Sequence, residues 1–211
     1  IEILYENLCK EEACKIEMEL CKKNIGKQDQ YASTFGGINQ LYIQNNGKVT
    51  VIPLKIKQET IYELENRLML FYTNINRDSN EIITEQSNKV LNNEKITIEA
   101  MHHIKEIGKK VKYTLLNDDI DTFGKLLHEH WIIKKTISTN MSNSNIDNWY
   151  EIGLKNGALG GKIMGAGGGG FLLFCVKTND RKKLRDAMEK EGLKYMDFKF
   201  DFEGVKVLAN I

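Results

Sequence analysis

The sequence offers little that would tie it to a membrane, a metal or a nucleic acid. No apolar run approaches the roughly 20 residues of a membrane-spanning helix, and no secretory leader is expected. The four cysteines, Cys9, Cys14, Cys21 and Cys175, make no CxxC pair and no zinc-ligand spacing. The expectation is a reduced, cytoplasmic protein. Thirty basic against 29 acidic residues leave a net charge of +1, so no basic face is expected for nucleic acid or an anionic membrane. That also disfavours reading the aromatic C-terminal strands as an RNA-binding sheet. The one proline, Pro53, belongs at a strand end or edge. The histidines are equally sparing: His128 and His130 fall on different helix faces. His102 and Glu106 share a face, but two ligands do not make a site, so no metal ligands are expected in these residues.

What is present suits a folded globular chain. The 211 residues are 41% hydrophobic and 28% charged, enough for a sizeable core. Apolar spacing predicts a helix over 4–22, with Cys14 and Cys21 on one face. "NIGKQDQYASTFGGINQ" reads as a loop entering a short helix. Two alternating runs around Asn45-Asn46-Gly47 predict a hairpin. A buried strand follows at 67–73, and "NINRDSNEII" is a turn entering a helix. Residues 95–157 read as helical, with Phe123, Leu126, Leu127, Trp131 and Lys134 on one face, and Ser142 or Ser144 capping a later helix. A strand at 171–176, a charged helix at 179–191 and strands at 195–202 and 205–210 complete an α+β chain. The expected sheet is antiparallel-rich, and the domain boundary falls near residue 66.

Three constellations stand out. Eight of the 17 glycines lie within residues 157–170, where bare backbone permits positive φ and close approach. The stretch has no GxxxxGK[ST], which excludes a Walker loop. Gly165, Gly167 and Gly170 satisfy GxGxxG, but that fingerprint needs a strand before and a helix after it; here a helix is expected before and a strand after. The remaining reading is a concavity of backbone N–H groups for phosphate oxygens, with Lys162 adding charge. A tight helix-to-strand crossover is the alternative. In "GKQDQYA", Asp29 lies two residues after Lys27 and suits a base or orienting carboxylate; a helix N-cap is the alternative. Arg77, just past a strand end, could grip a phosphate or sit in a surface salt bridge.

Two of these stretches resemble known motifs. "GGKIMGAGGGGFLLF" resembles the third, C-terminal motif of the GHMP superfamily of small-molecule kinases, and "IGKQDQYASTFGGIN" resembles the segment carrying the catalytic aspartate in its sugar-kinase branch. With "FYTNINRDSNEII" and "HEHWIIKKTIST", the pattern looks like the kinases of D-glycero-D-manno-heptose 7-phosphate, with fucokinase-type sugar kinases as near relatives and a non-catalytic binding fragment as the alternative from another class. The resemblance implies residues 1–66 as the remainder of a ribosomal-S5-like N-terminal domain, and residues 67–211 as a ferredoxin-like C-terminal domain with extra helices. It implies ATP and Mg²⁺ as cofactors and a sugar phosphate as substrate, and Asp29 as the group that orients and deprotonates the attacking hydroxyl. Lys27 and Gln28 would lie beside the sugar. Gly165, Gly167, Gly168 and Gly169 would form the loop that closes the active site, with Lys162 in the same motif. Arg77, Lys134 and Lys135 become candidates for the phosphate already on the substrate. Relatives often carry glycine where this chain has Asn74, a residue that tolerates positive φ.

The resemblance also implies two motifs that these residues do not contain: a GGGTD-like sugar motif and a PxxxGLGSSAA-like loop for ATP phosphates and magnesium. The chain starts without methionine, in what reads as a helix. A trimmed or incomplete polypeptide is therefore expected, without kinase activity alone and with no magnesium ligand of its own. Leu41, Ile43, Val51 and Ile52 are expected to expose apolar surface, and self-association to cover it is left open.

Overall fold

The computed structural model describes residues 9–76 and 79–206. Two compact units divide the chain: residues 1–55 with 199–211, and residues 56–198.

In the first unit, helix α1 covers residues 9–14 and continues as a π-helix over Lys15–Leu20; residues 4–8 of the expected helix lie outside the described residues. The wider π turn breaks the 3.6-residue period, so Cys14 is buried while Cys21 is exposed, and the two do not share a face. Helix α2 is Gln28–Phe35. Strands β1 (Asn39–Ile43) and β2 (Val49–Pro53) pair antiparallel, with Leu41 opposite Val51 and Pro53 at the ladder's end. Gly47, at φ +79°, makes the turn, closed by the Gln44 N–H donating to the Lys48 carbonyl at 2.9 Å. Cys14, Tyr31 and Val49 form this unit's small core, and Leu41 and Val51 pack against it. Of the four residues expected to be exposed, these two are therefore half-buried instead. Tyr42 and Ile52, on the opposite strand face, are exposed, as is Ile43 at the strand end.

In the second unit, helix α3 (Gln58–Arg67) runs directly into β3 (Leu68–Tyr72). Arg67 is buried at the junction. Its Nε donates to the Val176 carbonyl at 3.1 Å, and its guanidinium also pairs with Glu63 and Asp121. A helical excursion follows: α4 (Ser79–Leu91), α5 (Lys95–Leu116), α6 (Ile120–Ile137) and α7 (Ser144–Lys155). The cap of α7 is Asn143, whose side-chain oxygen accepts the Ile146 N–H at 3.0 Å. The expected cap Ser142 instead donates to Asp147 at 2.9 Å.

The chain then returns to the sheet as β4 (Ala158–Ile163) and β5 (Phe171–Val176), followed by α8 (Arg181–Lys190) and β6 (Lys194–Met196). The four strands lie in the order β4-β5-β3-β6, each pair antiparallel. This is the α+β class expected, with two differences. Strand β4 was read as loop, because "ALGGKI" has little strand propensity and owes its conformation to pairing with β5. Strand β6 stops at Met196, not residue 202. Asp201 accepts N–H bonds from Glu203 (2.7 Å) and Gly204 (3.3 Å), folding the segment into a turn. Residues 205–206 are irregular, and the rest of the expected last strand lies outside the described residues. No helix among the described residues is long and apolar enough to cross a membrane.

The core of this unit is aromatic. Phe71 and Phe174 meet edge to face at 6.3 Å, Phe174 meets Tyr150 at 5.7 Å, and Tyr150 meets Trp131 at 6.1 Å. Helix α6 reaches β4 at backbone distance. A Cβ on Gly160 would stand 2.2 Å from the Gly124 carbonyl oxygen and 2.7 Å from the His128 nitrogen. Gly160→Ala should therefore force the two elements apart and lose about 1–3 kcal/mol, read as a lower urea midpoint with an unchanged slope. Gly108, exposed on α5 with nothing within 4 Å of an added Cβ, is the control. Its replacement by Ala should stabilise the fold by roughly 0.5–1 kcal/mol.

Candidate functional site

The glycine loop connects β4 to β5, so it is the turn of a hairpin. A strand does precede Gly165, contrary to the expectation of a helix there. The dinucleotide motif still fails, because its third glycine leads into β5 and not into a helix. Met164 donates to the Phe171 carbonyl at 2.8 Å and closes the hairpin's base. Gly165, Gly167, Gly168 and Gly170 have φ between +71° and +118°, a region closed to most side chains.

Two clamps hold the loop. The Gly168 N–H donates to the Met141 carbonyl at 2.9 Å, and the Gly170 N–H to the Ile75 carbonyl at 3.0 Å. Gly170 in turn accepts from the N–H and hydroxyl of Thr73, at 2.9 and 2.8 Å. Asn74 has φ +55°, a conformation that asparagine tolerates. The approach is close: a Cβ on Gly169 would stand 2.5 Å from the Ile75 oxygen. The N–H groups of Gly165, Ala166, Gly167 and Gly169 donate to no carbonyl among the described residues. Beside them lies a shallow pocket of about 170 Å³, lined by the loop with Ile75 and Asn76. Unpaired N–H groups around a concavity are what an anion needs.

Basic side chains gather at the start of this loop. The Lys134 ammonium on α6 donates to the Gly165 carbonyl at 2.7 Å. Its pKa falls to about 8, first through desolvation and then through the charge of Lys162. Desolvation also lowers the Lys162 pKa. His130, one helical turn before Lys134, is pushed down to about 4 by burial and then by Lys162 and Lys134, so its imidazole is neutral at physiological pH. Its Nδ1 is buried without a hydrogen-bond partner. Neither lysine meets a carboxylate among the described residues. Lys135, next along α6, is different: it pairs with Asp147 at 2.9 Å and lies over Trp131, so its charge is already engaged. Arg77 lies outside the described residues.

The second group of candidates sits in the other unit. Asp29 is in the first turn of α2, past the cap position, which Lys27 occupies without a side-chain capping bond. Asp29 is exposed and makes no hydrogen bond or ion pair among the described residues. The N-cap alternative therefore does not describe it. Lys27 reaches the Gly47 carbonyl at 3.4 Å and makes no ion pair with Asp29. Gln28 is exposed. Gln30, which the sequence reading passed over, is buried and can donate to the Gly26 and Lys27 carbonyls at 3.1 Å each, bracing the loop that carries Asp29. The signal for Gln30 was available in its helical spacing to Thr34, also buried. Likewise His130 stands four residues before Lys134 on α6, a spacing that puts both on one face. Among the described residues, no group of three or more His, Cys, Asp or Glu could hold a metal ion.

Residues 111–194 match the family model described as GHMP kinases C terminal. Over 199 residues the chain is 40% identical to D-glycero-alpha-D-manno-heptose 7-phosphate kinase of Campylobacter jejuni, covering 92% of this chain and 58% of that protein. A solved Campylobacter jejuni structure superposes with a TM-score of 0.73 at 38% identity, over 95% of this chain and 56% of that one. The D-glycero-D-manno-heptose 1-phosphate kinase of Bacteroides thetaiotaomicron superposes with a TM-score of 0.70 at 28% identity, over 95% and 55%. The chain thus spans a little over half the length of the relatives it matches. The glycine hairpin, the four-stranded antiparallel sheet and these matches agree: the chain belongs with the GHMP kinases, and residues 111–194 are their C-terminal domain.

Proposed function

We propose that the whole protein phosphorylates a sugar phosphate with ATP, and that the sugar is D-glycero-D-manno-heptose 7-phosphate, giving the 1,7-bisphosphate used to build nucleotide sugars for surface polysaccharide. The observation that carries the reading is the glycine loop, with four N–H groups that donate to no carbonyl, beside two lysines that meet no carboxylate, among the described residues. The names of the relatives, both kinases of a heptose phosphate, support the substrate class.

Asp29 accepts the proton of the sugar's anomeric hydroxyl. That oxygen then forms its bond to the γ-phosphorus as the bond from phosphorus to the β–γ bridging oxygen breaks, and ADP leaves with the electron pair. Lys27 and Gln28 lie at the sugar; Arg77 and Lys162 add positive charge for phosphate. Phosphoryl transfer needs positioning and charge stabilisation more than covalent help. The backbone N–H groups of Gly165, Ala166, Gly167 and Gly169 supply fixed dipoles that need not reorganise. Mg²⁺ would neutralise the phosphates of ATP, held by a loop that residues 1–211 do not contain.

In the intact protein, Asp29→Asn should lower kcat by roughly 100-fold or more, the scale of a lost general base, while the Kd for ATP stays within a factor of about two. A variant that turns over normally would remove Asp29 from the chemistry. A substrate panel of heptose 7-phosphate, fucose and mevalonate, each with ATP and Mg²⁺, tests the sugar; preference for fucose would move the assignment to the fucokinase-type enzymes. Purified residues 1–211 should phosphorylate none of them, and heptose bisphosphate formed by that chain alone would show that the ATP loop is not required.

A further inference from the structure

Both anchors of the glycine loop lead back to α4. The Gly170 anchor is the Ile75 carbonyl, four residues before α4 begins at Ser79. The Gly168 anchor is the Met141 carbonyl, at the end of the 3₁₀ turn Thr139–Met141 that follows α6. Side chains tie that turn to α4. The Ser138 hydroxyl donates to Glu85 of α4, which also accepts the Thr139 N–H. Lys89, one turn further along α4, pairs with the other Glu85 oxygen at 2.9 Å and donates to the Ile137 carbonyl at 3.0 Å. Ser138 also caps the turn: its side-chain oxygen accepts the Asn140 N–H at 3.2 Å, and its carbonyl accepts the Met141 N–H at 3.2 Å.

The turn passes this order to the loop through Met141, which is fully buried. Its carbonyl holds Gly168. A Cβ on Gly167 would stand 2.3 Å from the Met141 sulfur and 3.2 Å from the Met141 oxygen. The Gly167 peptide, whose N–H donates to no carbonyl among the described residues, therefore lies against Met141. Ser138 is buried and Glu85 and Lys89 are about three-quarters so. A hydroxyl, a carboxylate and an ammonium are a costly way to join two helices, since apolar side chains of similar volume often join them as well. What the polar chain adds is direction: each bond fixes the orientation of the next group.

We propose that Glu85, Lys89 and Ser138 are positioning residues for the glycine loop. They fix the turn whose Met141 carries Gly167 and Gly168, and so aim the loop's open N–H groups before a ligand arrives. They act through Met141 and not on a substrate. What the aimed donors do rests on the kinase reading; the aiming itself does not.

The test reads amide hydrogen exchange at the loop in the intact, ¹⁵N-labelled protein. Ser138→Ala and Glu85→Ala should each speed exchange of the Gly168 N–H by roughly tenfold or more, the scale of a lost hydrogen bond to a charged group. The Gly170 N–H, held by Ile75, should change by less than about twofold. The double variant should exceed the worse single by no more than about twofold, because both changes cut one chain of contacts. Glu85→Gln keeps an oxygen for the Ser138 hydroxyl and should restore most of the protection. Ile107→Val, in the buried face of α5, controls for general destabilisation and should leave the ratio of Gly168 to Gly170 exchange unchanged. With heptose 7-phosphate, ATP and Mg²⁺, Ser138→Ala should lower kcat by about tenfold with both KM values within about twofold, the pattern of a contribution made in the transition state. Gly168 exchange equal to wild type in both alanine variants, or the same rise with Ile107→Val, would overturn the proposal. So would a normal kcat beside a loosened Gly168, or a Glu85→Gln as damaging as Glu85→Ala. If the wild type phosphorylates no heptose and Gly168 still loosens as described, the kinase reading falls and the aiming stands, so the two ideas fail separately.

Discussion

The contact between Gly124 on α6 and Gly160 on β4 sets the geometry of the larger unit. Each glycine removes the one atom that would keep helix and strand at side-chain distance. A Cβ on Gly124 would stand 2.8 Å from that of Leu159 and 3.1 Å from the Cys175 sulfur. With both absent, β4 lies against the backbone of α6, and the two elements run on together toward the loop. This is why a lysine on the helix can reach the Gly165 carbonyl. A wider spacing would leave the same residues in place in the sequence and separate them in space.

The loop itself is rigid by arrangement rather than by bulk. Its only anchors to the rest of the unit through its own N–H groups are Gly168 to Met141 and Gly170 to Ile75 among the described residues. These bring together the turn after α6 and the segment leaving β3, two regions remote in sequence. The two anchors flank Gly169 and follow three N–H groups that donate to no carbonyl among the described residues. Fixing part of a peptide stretch limits the directions open to the rest, so donors aimed at a ligand need less ordering when it arrives.

Much of this was legible in the residues. The hairpin at Asn45-Asn46-Gly47, the strand "LMLFY" and the charged helix α8 follow from local pattern, because turn chemistry and alternation act over a few residues. The glycine cluster marked a backbone surface, and Asp29 stood out in "GKQDQ". Strand β4 did not, since a glycine-rich strand carries no propensity and is stabilised by β5 and α6, which are tertiary partners. The end of β6 was misjudged for the opposite reason: "KYMDFKFDF" alternates well, but the Asp201 turn outweighs the alternation. The engagement of Lys135 against the open state of Lys134 was beyond the sequence altogether. The two are neighbours of the same type, distinguished by Asp147, which pairs with Lys135, and by the Gly165 carbonyl, which accepts from Lys134.

The order of strands in the sheet carries a consequence for how the chain is made. Strand β3 lies between β5 and β6, yet it leaves the ribosome about 100 residues before either, which at roughly 5–20 residues per second is an interval of about 5–20 s. Throughout that interval a five-residue apolar strand has both edges open. Three of the helices made in between, α4, α6 and α7, are its available cover, since Ile82, Trp131 and Tyr150 join Met69 and Phe71 in one core. The helical excursion thus acts as a shelter during synthesis before it becomes a layer of the finished fold. The open-edged strand is guarded by helices that form from local contacts and can therefore form first.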